Sequence, residues 1–345
     1  MSNMETVSID GSTGEGGGQI LRTSLALSCI TGKSLHIENI RAARRNPGLA
    51  KQHLSCIQAA CQICNGKCQG AVIRSKVLDF QPGPVQSGDF YFDIGSAGSA
   101  SLVIQTVLPA LFLADKPSTI TVTGGTHNPL APPFDFLAET FLPAIVTADF
   151  QSTCKLLRHG FFPAGGGKIT FNITPRRKNS HKIINFCEPL DKCQIFARIY
   201  TAKLPENITR KQHKLLLQSS LDFKNIEHIE VTDSDGPGNC VMIRLCYSER
   251  TTVFTAFGMR GKPSQQVVTE VVNLTKDFLK SGAAVDCFLA DQLLIYMAIS
   301  KAGCYTTNEL TAHLTTNMEI IKKFLDVDFH MDKLEENYKV SCHPA

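Results

Sequence analysis

The chain opens on a concentration of chemically able residues. Asp10-Gly11-Ser12-Thr13-Gly14-Glu15-Gly16-Gly17-Gly18-Gln19-Ile20-Leu21-Arg22 sets five glycines, a loop carboxylate and an arginine just ahead of an apolar helical run. Glycines let a backbone reach positive φ and let its amides approach an anion closely. A helix beginning near Gly18 would aim its free N–H groups at the same space. Glu15 would repel a phosphate held there unless a metal ion or a proton came between them. Arg22, one turn into the helix, brings a fork of donors that could meet a phosphate. The loop reads as a phosphate site with a metal, the plain alternative being a mobile glycine-rich turn. It is neither of the two familiar glycine loops. Gly-x-x-x-x-Gly-Lys-Ser/Thr is absent, and the third glycine of Gly-x-Gly-x-x-Gly would fall on Gln19.

Further polar groups stand where they could line the same cleft. Arg41, Arg44, Arg45 and Lys51 fall within eleven residues that contain no acid, and arginine forks bind phosphate in two-point fashion. Gln52 and His53 follow in the first turn of the next helix, on the side nearest that loop; a solvated basic loop beside a capped helix is the alternative. Asp291 and Gln292 sit inside a strongly apolar helix, as does Gln105, and such residues need a ligand, solvent or a partner. Asp291 and Gln292 could hydrogen-bond a purine edge and a ribose. Gly124-Gly125-Thr126-His127-Asn128-Pro129 and Ala131-Pro132-Pro133-Phe134-Asp135-Phe136 form a rigid turn with flat and aromatic surfaces; either phenylalanine could instead be core. His313, near a helix start, is unremarkable by spacing, with Thr315, Thr316 and Asn317 beside it as candidate donors to a phosphate. Cys61, Cys64 and Cys68 with His53 and Cys56 resemble a metal cluster, but zinc sites usually need two separated ligand pairs. Cys56 and Cys61 also fall on one apolar helix face, where cysteine acts as a small hydrophobe.

The elements that must position these residues recur. An apolar helix, a short turn and a β-branched strand follow one another at residues 25–40, 108–123 and 297–307. A second helix comes after each strand: from Leu49 to Cys61, from Pro133 to Ile145, and from Thr316 to Leu325. The middle of the chain breaks the rhythm. Two longer strands, around Cys193–Tyr200 and Cys240–Cys246, flank a basic helix near Thr209–Leu221, and the third copy resumes only afterwards, as an inserted α/β module would allow. The fold class is therefore α/β (α+β). The 345 residues suit two domains, and 43% hydrophobic with 19% charged residues suits a soluble enzyme. A net charge of +4 is too weak to prove a nucleic-acid partner. Thirteen scattered cysteines point to a reducing compartment, and the absence of a leader-like start or a long apolar stretch makes cytoplasm the expectation, with no membrane.

Several motifs in this order resemble one family: the glycine-rich opening, Ile40-Arg41 through Pro47-Gly48-Leu49 with Gln52-His53, Ile94-Gly95-Ser96-Ala97-Gly98-Ser99, Gly124-Gly125-Thr126 with Ala131-Pro132-Pro133, His159-Gly160-Phe161-Phe162-Pro163-Ala164-Gly165-Gly166-Gly167, and Leu289-Ala290-Asp291-Gln292. Over essentially its whole length the chain is similar to RNA 3′-terminal phosphate cyclases. The resemblance implies a large domain, residues 1–182 and 278–345, of three repeated βαβαββ-type units related to the C-terminal domain of translation initiation factor 3. A smaller α/β domain, 183–277, would be inserted before the third unit. It implies an ATP-dependent, AMP-forming, ligase-type nucleotidyl transfer: a histidine takes AMP from ATP, AMP passes to the RNA 3′-phosphate, and the neighbouring 2′-OH displaces it to leave a 2′,3′-cyclic phosphate. Carried over by position, His313 would be the nucleophile and Glu15 would hold a divalent metal, Mg or Mn. Arg22, Arg41, Arg44, Gln52 and His53 would bind the RNA end or the triphosphate. Gln105, Phe288, Leu289, Ala290, Asp291 and Gln292 would bind ATP, with Pro132 and Phe136 flanking adenine. Phe288 departs from the family's common tyrosine, keeping the ring and losing the hydroxyl. RNA 3′-phosphate ends are the implied partner, with oligomeric state open, a homodimer included. Two rivals from other classes are a non-adenylylating cyclase-like RNA-binding protein and a sugar-phosphate or enolpyruvyl transferase.

Overall fold

The computed structural model describes residues 5–345. Its first four-stranded sheet is built from β1 (Thr6–Asp10), β2 (Ser34–Glu38), β3 (Lys67–Gln69) and β4 (Leu78–Gln81) in the order β1-β2-β4-β3. Helices α1 (Gly18–Thr31) and α2 (Lys51–Cys64) connect them. β1 and β2 run parallel, because a helix carries the chain back between them, and the other pairs are antiparallel. The second unit repeats the scheme. β5 (Asp89–Asp93), β6 (Ser118–Gly124), β7 (Ser152–Arg158) and β8 (Gly167–Ile173) take the order β5-β6-β8-β7 around α3 (Ala100–Leu111). Its second helical stretch is broken into α4 (Phe134–Phe136), a π-helical turn Leu137–Phe141 and α5 (Leu142–Val146).

The third unit is interrupted. Its first strand, β9 (Ile184–Phe186), is followed by β10 (Gln194–Ala202), α6 (Glu206–Leu217), β11 (Phe223–Glu230), β12 (Gly238–Cys246), β13 (Thr251–Phe257) and α7 (Ser264–Ser281). Those strands form a separate sheet in the order β11-β10-β12-β13. The unit then resumes with α8 (Cys287–Ser300), β14 (Gly303–Thr307), α9 (Ala312–Phe324), β15 (Val327–Lys333) and β16 (Tyr338–Pro344), and β9 pairs in parallel with β14. The insertion therefore lies inside the third unit, between β9 and α8, rather than ahead of it. A boundary at 182/183 leaves β9 on the wrong side, and α7 runs past residue 277 to Ser281. Three residues are too few to display a strand's alternation, so β9 is invisible until β14 gives it a partner. Similarly, α9 begins at Ala312, four residues before the expected Thr316, because Thr311 caps it by accepting the Leu314 amide at 3.1 Å.

Strands β6 and β8 bury every second residue, the pattern of sheets that pack on one face only. The helices lie on those faces and meet one another: α1 packs on α2, α3 and α9, α2 on α3, and α8 on α9. One continuous apolar core, from Val7 to Cys342, joins all three units, while the inserted domain has its own around Val241, Ile243 and Val271. Helix α8 is apolar nearly all round and deeply buried, as such a helix must be. Among the described residues no helix is long and apolar enough to cross a membrane.

Candidate active site

The site grows from the start of α1. Gly14 and Gly16 hold φ of 59° and 57°, which lets the loop fold back over the helix. Gly17 caps α1 with no side chain to satisfy its first amides, so their partial positive charge stays available. A side chain at Gly17 would collide with the Glu15 carboxylate and the Arg44 guanidinium, and one at Gly18 with the Nε2 edge of His53. These glycines therefore make room for charged neighbours as well as for a ligand.

Around this helix end stand the predicted phosphate ligands. Arg22 is half-buried, with burial pushing its pKa down, and among the described residues it makes no hydrogen bond or ion pair. His53 is 7% exposed; burial first, then Arg22 and Arg41, lower its pKa to about 3. It is thus neutral, and since the Ala50 amide donates to Nδ1 at 3.0 Å, the ring proton sits on Nε2, beside Gly18 and Arg22. Arg41 donates to the Gly48 carbonyl at 2.8 Å, and the Gln52 Oε1 accepts from the Ser99 amide at 3.4 Å. Arg44 reaches inward to Glu15 Oε2 at 2.5 Å. The Glu15 side chain is only 4% exposed, and its other oxygen, Oε1, is buried without a partner. A carboxylate with a free buried oxygen has the chemistry of one oxygen ligand to a hard divalent cation. Among the described residues no cluster of three or more His, Cys, Asp or Glu could hold a metal on its own.

The third unit closes the site from the other side. His313, in the first turn of α9, has a half-exposed ring whose Nδ1 lies 2.5 Å from Gln19 Oε1 and 3.8 Å from Glu15 Oε2. Gln19 Nε2 in turn donates to Asp291 Oδ2 at 3.1 Å. The amide is therefore oriented with its oxygen toward the imidazole. Nδ1 carries the proton, and Nε2 is left free. Burial pushes the Asp291 carboxyl up to about 7, against the Gln19 hydrogen bond and the charge of Arg22. Thr316 and Asn317, expected as donors to a phosphate, make contacts within the protein. Thr316 Oγ1 accepts the Glu15 amide at 3.0 Å; Asn317 accepts from Thr23 at 2.6 Å and donates to the Asp291 carbonyl at 2.9 Å. They strap the glycine loop and α8 to α9, and Thr315 bonds back to the Thr311 carbonyl within its own helix.

The remaining candidates divide. Phe288 is 48% exposed on α8, while Leu289 and Ala290 are core residues at 3% and 0%. Of that segment only Phe288, Asp291 and Gln292 present side chains outward. Gln105 donates to Gln292 Oε1, whose own amide donates to the Phe288 carbonyl at 2.7 Å, so α3 and α8 share one polar edge. Pro132 is half-buried, but Phe136, expected to flank adenine, is 3% exposed and packed in the main core. The partly exposed ring at that turn is Phe134, because the first helical turn rotates Phe136 inward. Two participants were missed in the sequence: Gln19, noticed only as a missing glycine, and Thr316 as a loop anchor. Both contacts span most of the chain, and no local pattern announces them.

Residues 13–331 match the family described as RNA 3′-terminal phosphate cyclase. The chain belongs to the RNA 3′-terminal phosphate cyclase family. A family member from Koribacter versatilis, named RNA 3′-terminal phosphate cyclase, is 43% identical over 338 residues, 97% of this chain and 94% of that one. Namesakes from Ralstonia nicotianae and Pseudomonas fluorescens are 42% and 40% identical over 321 and 341 residues, covering 93% and 98% of this chain and 92% and 98% of theirs.

Proposed function

We propose that this protein uses ATP to close an RNA 3′-terminal phosphate into a 2′,3′-cyclic phosphodiester, with His313 as the carrier of AMP. The observation that carries the reading is the orientation of His313: Gln19 holds Nδ1, which lies 3.8 Å from Glu15 of the glycine loop, and Nε2 has no partner among the described residues. A neutral imidazole is nucleophilic near pH 7, and its phosphoramidate is labile enough to pass AMP onward. Nε2 attacks the α-phosphorus of ATP, forming a P–N bond as the bond to pyrophosphate breaks. An oxygen of the RNA 3′-phosphate then attacks the same phosphorus and the P–N bond breaks, regenerating the imidazole. Finally the 2′-OH attacks the 3′-phosphorus, AMP leaves, and the hydroxyl proton passes to solvent.

Each neighbour has a part. The unpaired Arg22, the Nε2–H of neutral His53 and the uncapped amides of α1 would bind the phosphates, and Arg41 and Arg44 would guard the entrance. Gln105, Asp291 and Gln292 would meet the nucleoside, with Phe288 offering a ring for stacking. Glu15 would hold a divalent ion, which when bound neutralises the crowded phosphate charge. The free cysteines support a reducing compartment such as the cytoplasm.

The test is incubation with α-labelled ATP and a divalent metal, followed by a denaturing gel. A labelled band that is lost in acid and survives alkali is expected. His313→Ala should abolish both the band and cyclisation of a plain 3′-phosphate, yet still cyclise RNA supplied with an adenylylated end, since that step needs no imidazole. If the variant still forms the adduct, another histidine carries AMP and the assignment fails.

A further inference from the structure

We infer that the protein carries a second, exposed RNA contact outside the site: a strip of cations on two joined loops that takes the sugar-phosphate backbone upstream of the 3′ end. The inference rests on the cyclase reading and extends it. Loops 39–51 and 70–77 are distant in sequence but laced together through their backbones. The Leu49 amide donates to the Ser75 carbonyl at 2.9 Å, Arg74 to Leu49 at 2.8 Å, and Ile40 to Lys76 at 3.0 Å. Gly48, at φ 80°, lies so close to the Arg74 carbonyl that no side chain would fit there. The charged residues of the first loop are Arg41, Arg44, Arg45 and Lys51, and those of the second Arg74 and Lys76; neither loop holds an acid.

The strip has a direction. Arg44 points inward to Glu15, Arg41 turns back onto the Gly48 carbonyl beside Arg74, and Arg45, Arg74 and Lys76 lie beyond them in solvent. Among the described residues these last three make no ion pair or side-chain hydrogen bond. Elsewhere some exposed cations are matched, as Lys33 is by Glu5, Arg158 by Asp235 and Arg210 by Glu206, and others stand singly; what distinguishes this strip is that three unmatched cations share two joined loops that hold no acid. Like charges left unopposed on one strip repel one another, and a polyanion laid along them relieves that cost. The triphosphate of ATP and a lone terminal phosphate are served by the inner residues, so the outer cations suit the phosphates further along a strand. Val72 and Ile73, 63% and 49% exposed on the same loop, offer apolar surface to unstacked bases and riboses.

The experiment compares a 3′-phosphorylated RNA of about ten nucleotides with a 3′-phosphorylated dinucleotide, binding to wild type and to the Arg74→Gln/Lys76→Gln double variant over a salt series. Fluorescence anisotropy should show binding of the longer RNA weakened about three- to ten-fold, and its log–log salt slope reduced by about 1.4, at about 0.7 per lost single-strand phosphate contact. The dinucleotide should bind as before, and adduct formation from ATP alone should keep its wild-type rate, which also certifies folding. Unchanged binding of the long RNA, equal weakening of both RNAs, or a slowed adduct would each overturn the strip. Binding is read directly, so a protein that met these expectations while making no cyclic phosphate would refute the cyclase reading and leave the strip standing.

Discussion

Two aspartates that burial penalises meet opposite fates. Burial pushes Asp135 up, but His127 at 2.8 Å, Tyr200 at 2.7 Å and Arg198 at 3.3 Å outweigh it and hold the carboxyl at about 2. Arg198 in turn meets Glu139 at 2.6 Å, and Glu139 meets Arg244 at 2.5 Å, so the network between the second unit and the inserted domain is saturated. At the other location Asp291 has one amide, that of Gln19, and rises to about 7; Glu15 keeps an oxygen without a partner, and Arg22 is unmatched. Charges that satisfy one another serve the fold. Charges held close but unsatisfied are what a ligand completes, at a standing cost to stability.

The contrast can be broken from either side. Glu15→Ala should slow adduct formation by about 10²- to 10³-fold, the scale on which a lost charge-stabilising group acts. Its melting temperature should not fall, because a buried oxygen without a partner disappears and Arg44, 46% exposed, can turn to water. A drop in melting temperature with activity retained would make Glu15 structural. Asp135→Ala should do the reverse. It strips His127, Tyr200 and Arg198 of a shared acceptor and should cost about 2–3 kcal/mol in denaturant unfolding, while the folded variant still forms the adduct.

The smallest effect is a matter of pH. The folded pKa of Asp291, about 7, lies above the ordinary 3.8, so the folded protein favours the protonated acid. Stability therefore falls as pH rises from about 4 to about 7, and the penalty is complete above that. Asp291→Asn, which keeps an acceptor for Gln19, should gain a few degrees in melting temperature over the same window and nothing at pH 4. A gain independent of pH would show that the carboxylate's charge is not the source of the cost.

Much of the frame was legible locally. A glycine run ahead of Ile20, Leu21 and Leu25 marks the start of α1, and the spacing of Leu49, Cys56, Ile57 and Ala60 marks the buried face of α2. Short pieces were not: β9 has three residues and acquires its role only on pairing with β14. Among the aromatic residues of the 132–136 turn, composition could not tell which ring is core, because that depends on how the first helical turn faces its neighbours.

The sequence by itself determined which chemistry was on hand: a glycine loop with one acid, arginines without acids beside them, a neutral-capable histidine, and polar residues set in apolar helices. Those follow from residue type and spacing of a few positions, where helix and turn propensities act. Tertiary structure alone decided which atoms meet. His313 finds Gln19 across 294 residues, Gln19 finds Asp291 across 272, and Glu15 finds Thr316 across 301. Such pairs form because burying the apolar faces of α1 and α8 against α9 brings their polar edges to a common line, and that burial is a property of the whole chain.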